Sequence, residues 1–417
     1  MPVESIDTLL AILRRTQLFS DEQVEEMVRE LVPCYQDPQA LGEYLVEIDW
    51  LTPYQLHLIL SERWKELTYG VYQILDRLGE GGLSEVFKAW DTEKGRVVAL
   101  KVLRPDLAEN GDLVRQFQRE ALAITRLSHP NIIRTFDVHD EGALQYFAME
   151  YIEGMDLDRY VGQVGPLAVE QACDYGRQVA QGLQYAHQVG LIHRDIKPAN
   201  LFLLNPPVTG PTGQPLHRGH EPVVKIIDWG LARCTIDTGE TQMLQATVSE
   251  DGLANERASL IGTADYIAPE QAQDATLVDI RADIYSLGCV LYYLLTGYPP
   301  FRGSTLMQKL VQHQKAEPPS VRGGRPDVPE DLDQFIRRMM GKSPGERPQI
   351  PLLVVAQLRK FCVPALAGRC GASAPASAAS LPRPVAPPTG LNLPRPQTHA
   401  ILGRPSTQPN LPRPGGR

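Results

Sequence analysis

Cysteine is scarce in this chain, and no two cysteines have the Cys-x-x-Cys spacing of a metal or redox motif. Six cysteines are scattered over 417 residues, a distribution typical of free thiols in a reducing compartment. The nine histidines have no metal-ligand spacing with these cysteines, so no zinc site is predicted. We therefore expect a cytoplasmic protein.

Long apolar stretches are also absent. The first residues include the acidic Glu4 and Asp7 and have no basic patch before an apolar run, which argues against a signal peptide. The longest apolar run, residues 287–295, is short and contains tyrosines. We interpret it as a buried helix and predict no direct membrane span.

Acidic residues and lysine are missing from residues 363–417, which contain six arginines and so carry +6, whereas the whole chain carries −9. The acidic remainder argues against nucleic-acid binding. The same segment holds 12 of the 35 prolines and few bulky apolar residues, which predicts a disordered tail. Leu-Pro-Arg-Pro begins at Leu381, Leu393 and Leu411. These repeats are either ligands for a partner or part of a flexible chain.

Composition divides the chain into a helical N-terminal module (1–68), a central domain (69–361) and the Pro/Arg-rich tail (362–417). In the first module, capping-box patterns begin at Ser20 and Thr52, and Asp37 precedes Pro38 as a helix start. About four short helices are expected. Two roles remain open for this module: a packing extension of the next domain, or a docking function.

The central domain begins with strand-like stretches at residues 71–78, 86–89 and 97–103, followed by helical spacing at 113–127. Beyond residue 156 most periodic segments are helical. A small strand-rich half before a larger helical half predicts an α+β fold with two lobes.

Residues 79–86 read Gly-Glu-Gly-Gly-Leu-Ser-Glu-Val after the first predicted strand. Glycines let a backbone fold closely over a chain of phosphates. A strand follows rather than a helix, which excludes a dinucleotide fingerprint and a Walker loop. Lys101, on a later strand, is either an edge-strand solubility residue or a ligand of the α and β phosphates. Glu120 is its natural acidic partner.

The strongest signal lies between His193 and Asn200, in the sequence His-Arg-Asp-Ile-Lys-Pro-Ala-Asn. Asp195 can orient an attacking hydroxyl and take its proton. Lys197 can meet the transferring γ-phosphoryl group, and Asn200 can ligate a metal. Asp228, in Asp-Trp-Gly, supplies a second hard oxygen ligand of the kind that Mg²⁺ requires.

This ordered set resembles the protein-kinase signature, and it looks most like the eukaryotic-type (Hanks-type) serine/threonine kinases of bacteria. The resemblance implies a two-lobed protein-kinase fold, ATP and Mg²⁺ as cofactors, protein substrates phosphorylated on Ser or Thr, and autophosphorylation. The implied catalytic residues are Asp195, Lys197, Lys101 and Glu120, and the implied metal ligands are Asn200 and Asp228. The implied nucleotide-binding residues are Leu78, Gly79, Gly81, Gly82, Ser84, Val86, Ala99, Lys101, Glu150, Ile152, Asp156 and Phe202.

The resemblance also implies structural contacts. Glu270, in Ala-Pro-Glu, should pair with Arg347, and Asp283 should bond the backbone of the catalytic loop. Thr263 should bond Asp195 and Lys197. Met149 is the expected gatekeeper beside the adenine.

Several features depart from the family pattern. Ser84 replaces the third glycine, Trp229 replaces the phenylalanine of Asp-Phe-Gly, and residues 205–221 form a Pro/Gly-rich insert. The activation segment, residues 228–270, is long and polar. Phosphorylation there should fill a cationic pocket at Arg194, with Glu256 as a hypothetical permanent substitute. The phosphorylation candidates are Thr247, Ser249 and Ser259. Trp229 and this segment leave open the alternative of a pseudokinase that serves as a binding scaffold.

Overall fold

The computed structural model describes residues 3–16, 18–139, 145–209, 215–216, 221–229, 264–273 and 278–362. The chain divides into two compact units, with the boundary between Glu62 and Arg63. The predicted domain limits at residues 68 and 361 stay predictions.

The first unit is helical, as its capping patterns predict. Its α-helices are α1 (Ile6–Arg15), α2 (Asp21–Glu26), α3 (Pro38–Glu47) and α4 (Pro53–Leu60). Ser20 and Thr52 form complete capping boxes with Gln23 and Gln55, and Asp37 accepts the N–H of Ala40 at the start of α3. A π-helical segment (Met27–Leu31) and a 3₁₀ turn (Val32–Cys34) continue α2. Leucines from these helices form the core of this unit.

The second unit begins with a six-stranded sheet in the order β1-β2-β3-β4-β6-β5, in which every named pair is antiparallel. The strands are β1 (Thr68–Tyr69), β2 (Tyr72–Glu80), β3 (Ser84–Asp91), β4 (Arg96–Leu103), β5 (Thr135–His139) and β6 (Tyr146–Glu150). Helix α5 (Gly111–Ile124) lies between β4 and β5 in the chain and packs on this sheet through Phe117, whose ring lies 5.3 Å from that of Phe147. This is the predicted strand-rich lobe.

The larger lobe is mainly helical. Its described helices are α6 (Leu157–Val164), α7 (Val169–Gln188), α8 (Ile280–Thr296), α9 (Leu306–Lys315), α10 (Glu330–Met339) and α11 (Pro351–Leu358). Helix α8 contains the apolar run 287–295 and is almost entirely buried, as predicted. None of the helices in the described ranges has the length and apolarity that crossing a bilayer requires.

The second unit also contains a small antiparallel sheet. It comprises β7 (Gly154–Asp156), β8 (Leu201–Leu204) and β11 (Val223–Ile226), in the order β11-β8-β7. Gly154 has φ +159, and a Cβ there would lie 2.1 Å from the carbonyl oxygen of Leu203, so only glycine permits this close pairing. The insert between β8 and β11 contains a two-stranded pair, β9 (Val208–Thr209) and β10 (Pro215–Leu216).

Candidate active site

The glycine-rich turn connects β2 and β3. Gly79 pairs with Val86, and the N–H of Gly81 donates to the carbonyl oxygen of Ser84 over 2.8 Å. A Cβ built on Gly79 meets no atom within 4 Å, so packing within the protein does not require glycine there. The open space above the turn fits the close approach of a ligand. Leu78, which precedes the turn, is 46% exposed, and Ser84 is buried.

Lys101 lies on β4, opposite Val86 on β3 and Phe147 on β6. Its ammonium group lies 2.8 Å from Glu120 Oε1 on α5 and 2.5 Å from Asp228 Oδ1. The predicted pairing of Lys101 with Glu120 is confirmed. One buried ammonium thus joins the strand lobe, helix α5 and the segment that follows β11.

Lys101, Glu120 and Asp228 form a charged triad, and the pKa of each member is shifted for a different reason. Burial raises the pKa of Glu120 to about 7, although the nearby Lys101 opposes the shift. Burial alone would lower the pKa of Lys101, but the charges of Asp228 and Glu120 outweigh it and raise that pKa. The charge of Lys101 lowers the pKa of Asp228 to about 2. Because the Asp228 side chain is 55% exposed, solvent screens part of this effect.

The backbone of the catalytic loop, residues 193–200, is hydrogen-bonded to a buried carboxylate on α8. Asp283 accepts the N–H of His193 over 2.8 Å and that of Arg194 over 2.7 Å, as predicted. Arg194 has φ +67, a left-handed conformation that costs a non-glycine residue about 1–3 kcal/mol. The two hydrogen bonds that Asp283 accepts stabilise this strained backbone. Burial raises the pKa of Asp283 to about 7.

Three polar side chains of the catalytic loop meet in one place. Lys197 Nζ lies 3.0 Å from Asp195 Oδ2, and the amide nitrogen of Asn200 donates to the same oxygen over 3.1 Å. The Asn200 amide also donates to the Asp195 carbonyl oxygen over 2.8 Å. Since the nitrogen end of this amide is directed at Asp195, its oxygen is the end available as an acceptor or metal ligand.

The Asp-Trp-Gly triplet follows β11. Asp228 has φ +54, a second left-handed non-glycine residue at the site. Trp229 is fully buried, and its ring centroid lies 4.8 Å from that of His193. Burial lowers the pKa of His193 to about 4, so this ring is neutral at pH 7. Because its Nδ1 accepts the N–H of Asp195, its Nε2 donates to the carbonyl oxygen of Ile227.

The residues expected around the nucleotide base lie on paired strands. Ala99 on β4 is opposite Met149 on β6, and Phe202 on β8 is opposite Asp156 on β7. Ile152 lies in the connection between β6 and β7. The Asp156 carboxylate accepts the N–H of Arg159 over 2.8 Å and so caps α6, a role that the sequence reading did not assign.

Sequence reasoning missed an ion pair behind this connection. Lys225 Nζ on β11 lies 2.6 Å from Glu150 Oε1, and both side chains are mostly buried. The N–H of Arg134 donates to the same carboxylate oxygen over 2.8 Å. Glu150 was predicted as a nucleotide-binding residue, and its side chain in addition ties the end of β6 to the small sheet of the other lobe. An isolated lysine within the apolar strand β11 was the available signal.

Gln271 is a second residue that sequence reasoning missed. Its amide nitrogen donates to the carbonyl oxygen of Arg194 over 2.8 Å, and its amide oxygen accepts the N–H of Ala268 over 3.0 Å. It therefore links the Ala-Pro-Glu segment to the catalytic loop. The predicted pairing of Glu270 with Arg347 is confirmed, with two parallel bonds of 2.6 and 2.8 Å.

Several predicted residues lie outside the described residues. They are Gly230, Thr247, Ser249, Glu256, Ser259 and Thr263, together with the tail from residue 363. Gly82 lies within the described turn without a contact that defines its role. Arg194 is described, and its buried Nε has no hydrogen-bond partner among the residues that the structure describes.

Comparison with known proteins agrees with this geometry. Residues 72–357 match the family described as protein kinase domain. The chain belongs to this family, because the match covers more than half of its length. The chain is 37% identical over 282 residues to the serine/threonine-protein kinase PknB of Mycolicibacterium smegmatis, covering 67% of this chain and 41% of that protein. It is 35% identical over 278 residues to PrkC of Bacillus subtilis, covering 67% and 38%.

The chain thus spans about two fifths of the length of these relatives. Among solved structures, the kinase domain of Mycobacterium tuberculosis PknI is similar, with a TM-score of 0.51 and 26% identity. That match covers 70% of this chain and 97% of the PknI domain. The two-lobed protein-kinase fold predicted from the sequence is confirmed.

Proposed function

We propose that this protein is a serine/threonine kinase that transfers the γ-phosphoryl group of ATP to protein hydroxyls. The observation that carries the proposal is the Lys101–Glu120 pair, closed at 2.8 Å and joined by Asp228. This pair and the Asp228 ligand must both be in place for phosphoryl transfer in protein kinases. Support for Ser/Thr specificity comes from Lys197 and from the similarity to PknB and PrkC, which are serine/threonine-protein kinases.

We assign each residue a role that its position supports. Lys101 holds the α and β phosphates beneath the glycine-rich turn. Asp195 orients the substrate hydroxyl and accepts its proton as the oxygen attacks the γ-phosphorus and the bond to ADP breaks. Lys197, which lies 3.0 Å from Asp195, meets the negative charge of the transferring group.

The donor set fits Mg²⁺. Asp228 offers a carboxylate whose low pKa keeps it ionised, and Asn200 offers the oxygen end of its amide. Hard oxygen ligands of this type, completed by phosphate oxygens and water, suit Mg²⁺, which would neutralise phosphate charge when bound. Phe202, Ala99 and Val86 supply apolar surfaces for the base, and Ile152 supplies backbone groups.

Activation by phosphorylation of residues in 228–270 is part of the proposal. The buried Arg194 Nε, for which the described residues offer no acceptor, suits an anion from that segment. Autophosphorylation would supply it. We place this activity in the cytoplasm, on the basis of cysteines without disulfide partners in the described ranges.

The test is transfer of labelled phosphate from ATP with Mg²⁺ to a protein substrate or to the chain itself, in the wild type and in Asp195→Asn. We expect transfer by the wild type onto Ser or Thr, and a loss of at least about a hundredfold in the variant. ATP binding by calorimetry should persist in the variant. Absence of transfer by the phosphorylated wild type, with ATP binding retained, would instead establish the scaffold alternative.

A further inference from the structure

The first compact unit has an unusual excess of negative charge. Residues 1–62 contain twelve Asp or Glu residues and three arginines, a net charge of −9. One of these arginines, Arg29, already pairs with Glu30 over 2.9 Å at the surface. Three cations cannot neutralise twelve carboxylates, so this unit presents a surface that attracts positive charge.

A pair of aromatic rings lies within this acidic surface. Tyr35 follows the 3₁₀ turn and Tyr44 lies on α3, and their ring centroids are 5.5 Å apart with an interplanar angle of 33°. Both rings are partly exposed. Glu47, one turn after Tyr44, is exposed and lies on the same side of α3. Glu43, immediately before Tyr44, is also exposed but accepts the amide N–H of Gln39 over 3.0 Å. Burial raises the pKa of the Tyr35 hydroxyl, and the charge of the nearby Glu47 adds to this effect.

The sequence of the same chain contains a matching ligand. Leu-Pro-Arg-Pro occurs at 381–384, 393–396 and 411–414, and Leu-Gly-Arg-Pro occurs at 402–405. With three residues per turn, a polyproline II segment places the leucine and the last proline of each repeat on one edge, and the arginine on another. Aromatic surfaces bind the apolar edge of such segments, and carboxylates bind the arginine.

We propose that the Leu-Pro-Arg-Pro repeats of the tail dock, within the same chain, on the Tyr35–Tyr44 pair. The rings take the leucine and proline of a repeat, and the exposed carboxylate of Glu47 takes its arginine. The tail, at +6 and without a single acidic residue, complements the −9 of the helical unit. Covalent connection makes the tail a high-concentration ligand, and several equivalent repeats raise its occupancy further.

The test is site-specific photocrosslinking in the full-length chain. A benzophenone side chain replaces Tyr44 in one preparation and the exposed Glu4 in a matched control. After irradiation at low salt, mass spectrometry identifies the attached peptides. We expect tail peptides from residues 379–417 at position 44, and at least about fivefold fewer at position 4, because an aromatic and acidic rim is specific for the repeats. Raising NaCl to 0.5 M should reduce the yield severalfold.

Two variants separate this site from nonspecific attraction. All three changes are made in the chain that carries benzophenone at position 44. Glu47→Gln should lower the yield of tail crosslinks severalfold, and so should the combined variant Arg383→Gln, Arg395→Gln, Arg404→Gln and Arg413→Gln. Asp7→Asn, the control, should leave the yield unchanged. Circular dichroism confirms that the helical unit is folded in each. Equal yields at positions 4 and 44, or a yield indifferent to the tail arginines, would refute the site. Crosslinks found only in dimer-sized products that vanish on dilution would refute docking within one chain.

Discussion

Two buried cations of the second unit differ in the number of carboxylates that balance their charge. In the large lobe, Arg347 is fully buried and bonds both oxygens of Glu270 and the carbonyl oxygens of Gly341 and Arg281. In the cleft, Lys101 has two carboxylates for one ammonium. The first arrangement matches one charge to one charge, whereas the second leaves an excess of negative charge.

The comparison separates a structural ion pair from a functional one. The guanidinium of Arg347 is bonded on every side, so nothing remains for a ligand to do there. Around Lys101, burial raises the pKa of Glu120 to about 7, and the Asp228 side chain is 55% exposed. Lys101 and Asp228 can therefore exchange their mutual contact for contacts with a ligand. A metal at Asp228 and phosphate oxygens at Lys101 would restore the balance of charge.

The largest expected effect comes from removing the cleft cation. Lys101→Met should lower kcat/KM for ATP-dependent transfer by at least about a hundredfold, because the phosphates lose their charged anchor. The midpoint of thermal unfolding should change little, since Glu120 can take up a proton when its partner is lost. The exposed Lys94→Met is the matched control in both assays. A large loss of stability with modest loss of transfer would make Lys101 a structural residue.

The same substitution in the large lobe should have the opposite consequence. Arg347→Met should lower the free energy of unfolding by about 3–5 kcal/mol, because it leaves the Glu270 carboxylate without its buried partner. Denaturant titration measures this. Adding Glu270→Gln should recover part of the loss, since the unpaired charge is then removed. If the double variant were no more stable than the single one, the pairing would not be the source of the effect.

Opposite pH dependences should distinguish two aspartates of helix α8. Asp283 has a folded pKa of about 7 against an ordinary value of 3.8, so its contribution to stability is full at acid pH and is lost as pH rises through 7. Asp279, at the N-cap, is bonded by Arg281 and has a lowered pKa, so its contribution is lost as pH falls. The Tm difference between wild type and Asp283→Asn should shrink from pH 4 to pH 8. For Asp279→Asn the Tm difference should instead grow as pH rises from about 2 to 5 and stay constant above that, because the lowered pKa acts only around and below 3.8. A change in the same direction for both variants would contradict the assignment.

The smallest effect is expected from breaking the Lys225–Glu150 ion pair. Lys225→Met removes the partner of Glu150 without touching the cleft, so it should raise KM for ATP about three- to tenfold through looser positioning of the base. The kcat should stay within about twofold, since the catalytic loop is untouched. Steady-state kinetics at varied ATP concentrations, with Lys94→Met as the reference, distinguish the two parameters. An equal fall in kcat would show that the ion pair supports the chemistry instead.

Residues whose chemistry depends on short spacing were predictable from the sequence. Asp195, Lys197 and Asn200 lie within six positions, and the capping boxes at Ser20 and Thr52 within four, so local pattern suffices. Glu120 was found because Lys101 needs an acidic partner, whereas the pairing of Arg347 with Glu270 was available only from the resemblance to protein kinases. Glu150 and Lys225 are 75 positions apart, and Gln271 bonds a backbone carbonyl 77 positions away. Such contacts depend on how strands are paired and loops are placed, which no local pattern encodes.

The tryptophan in the Asp-Trp-Gly triplet gives the protein an optical reporter of its own state. Its indole is sealed from water beside the His193 ring, and its buried Nε1 has no hydrogen-bond partner among the described residues. Such an environment favours emission at short wavelength, and a swing of the triplet out of its pocket would shift that emission to the red. Replacing the other three tryptophans, Trp50, Trp64 and Trp90, with phenylalanine would isolate the signal. Inhibitors that keep Trp229 in its buried pocket could then be distinguished from those that displace it by the wavelength of its fluorescence emission.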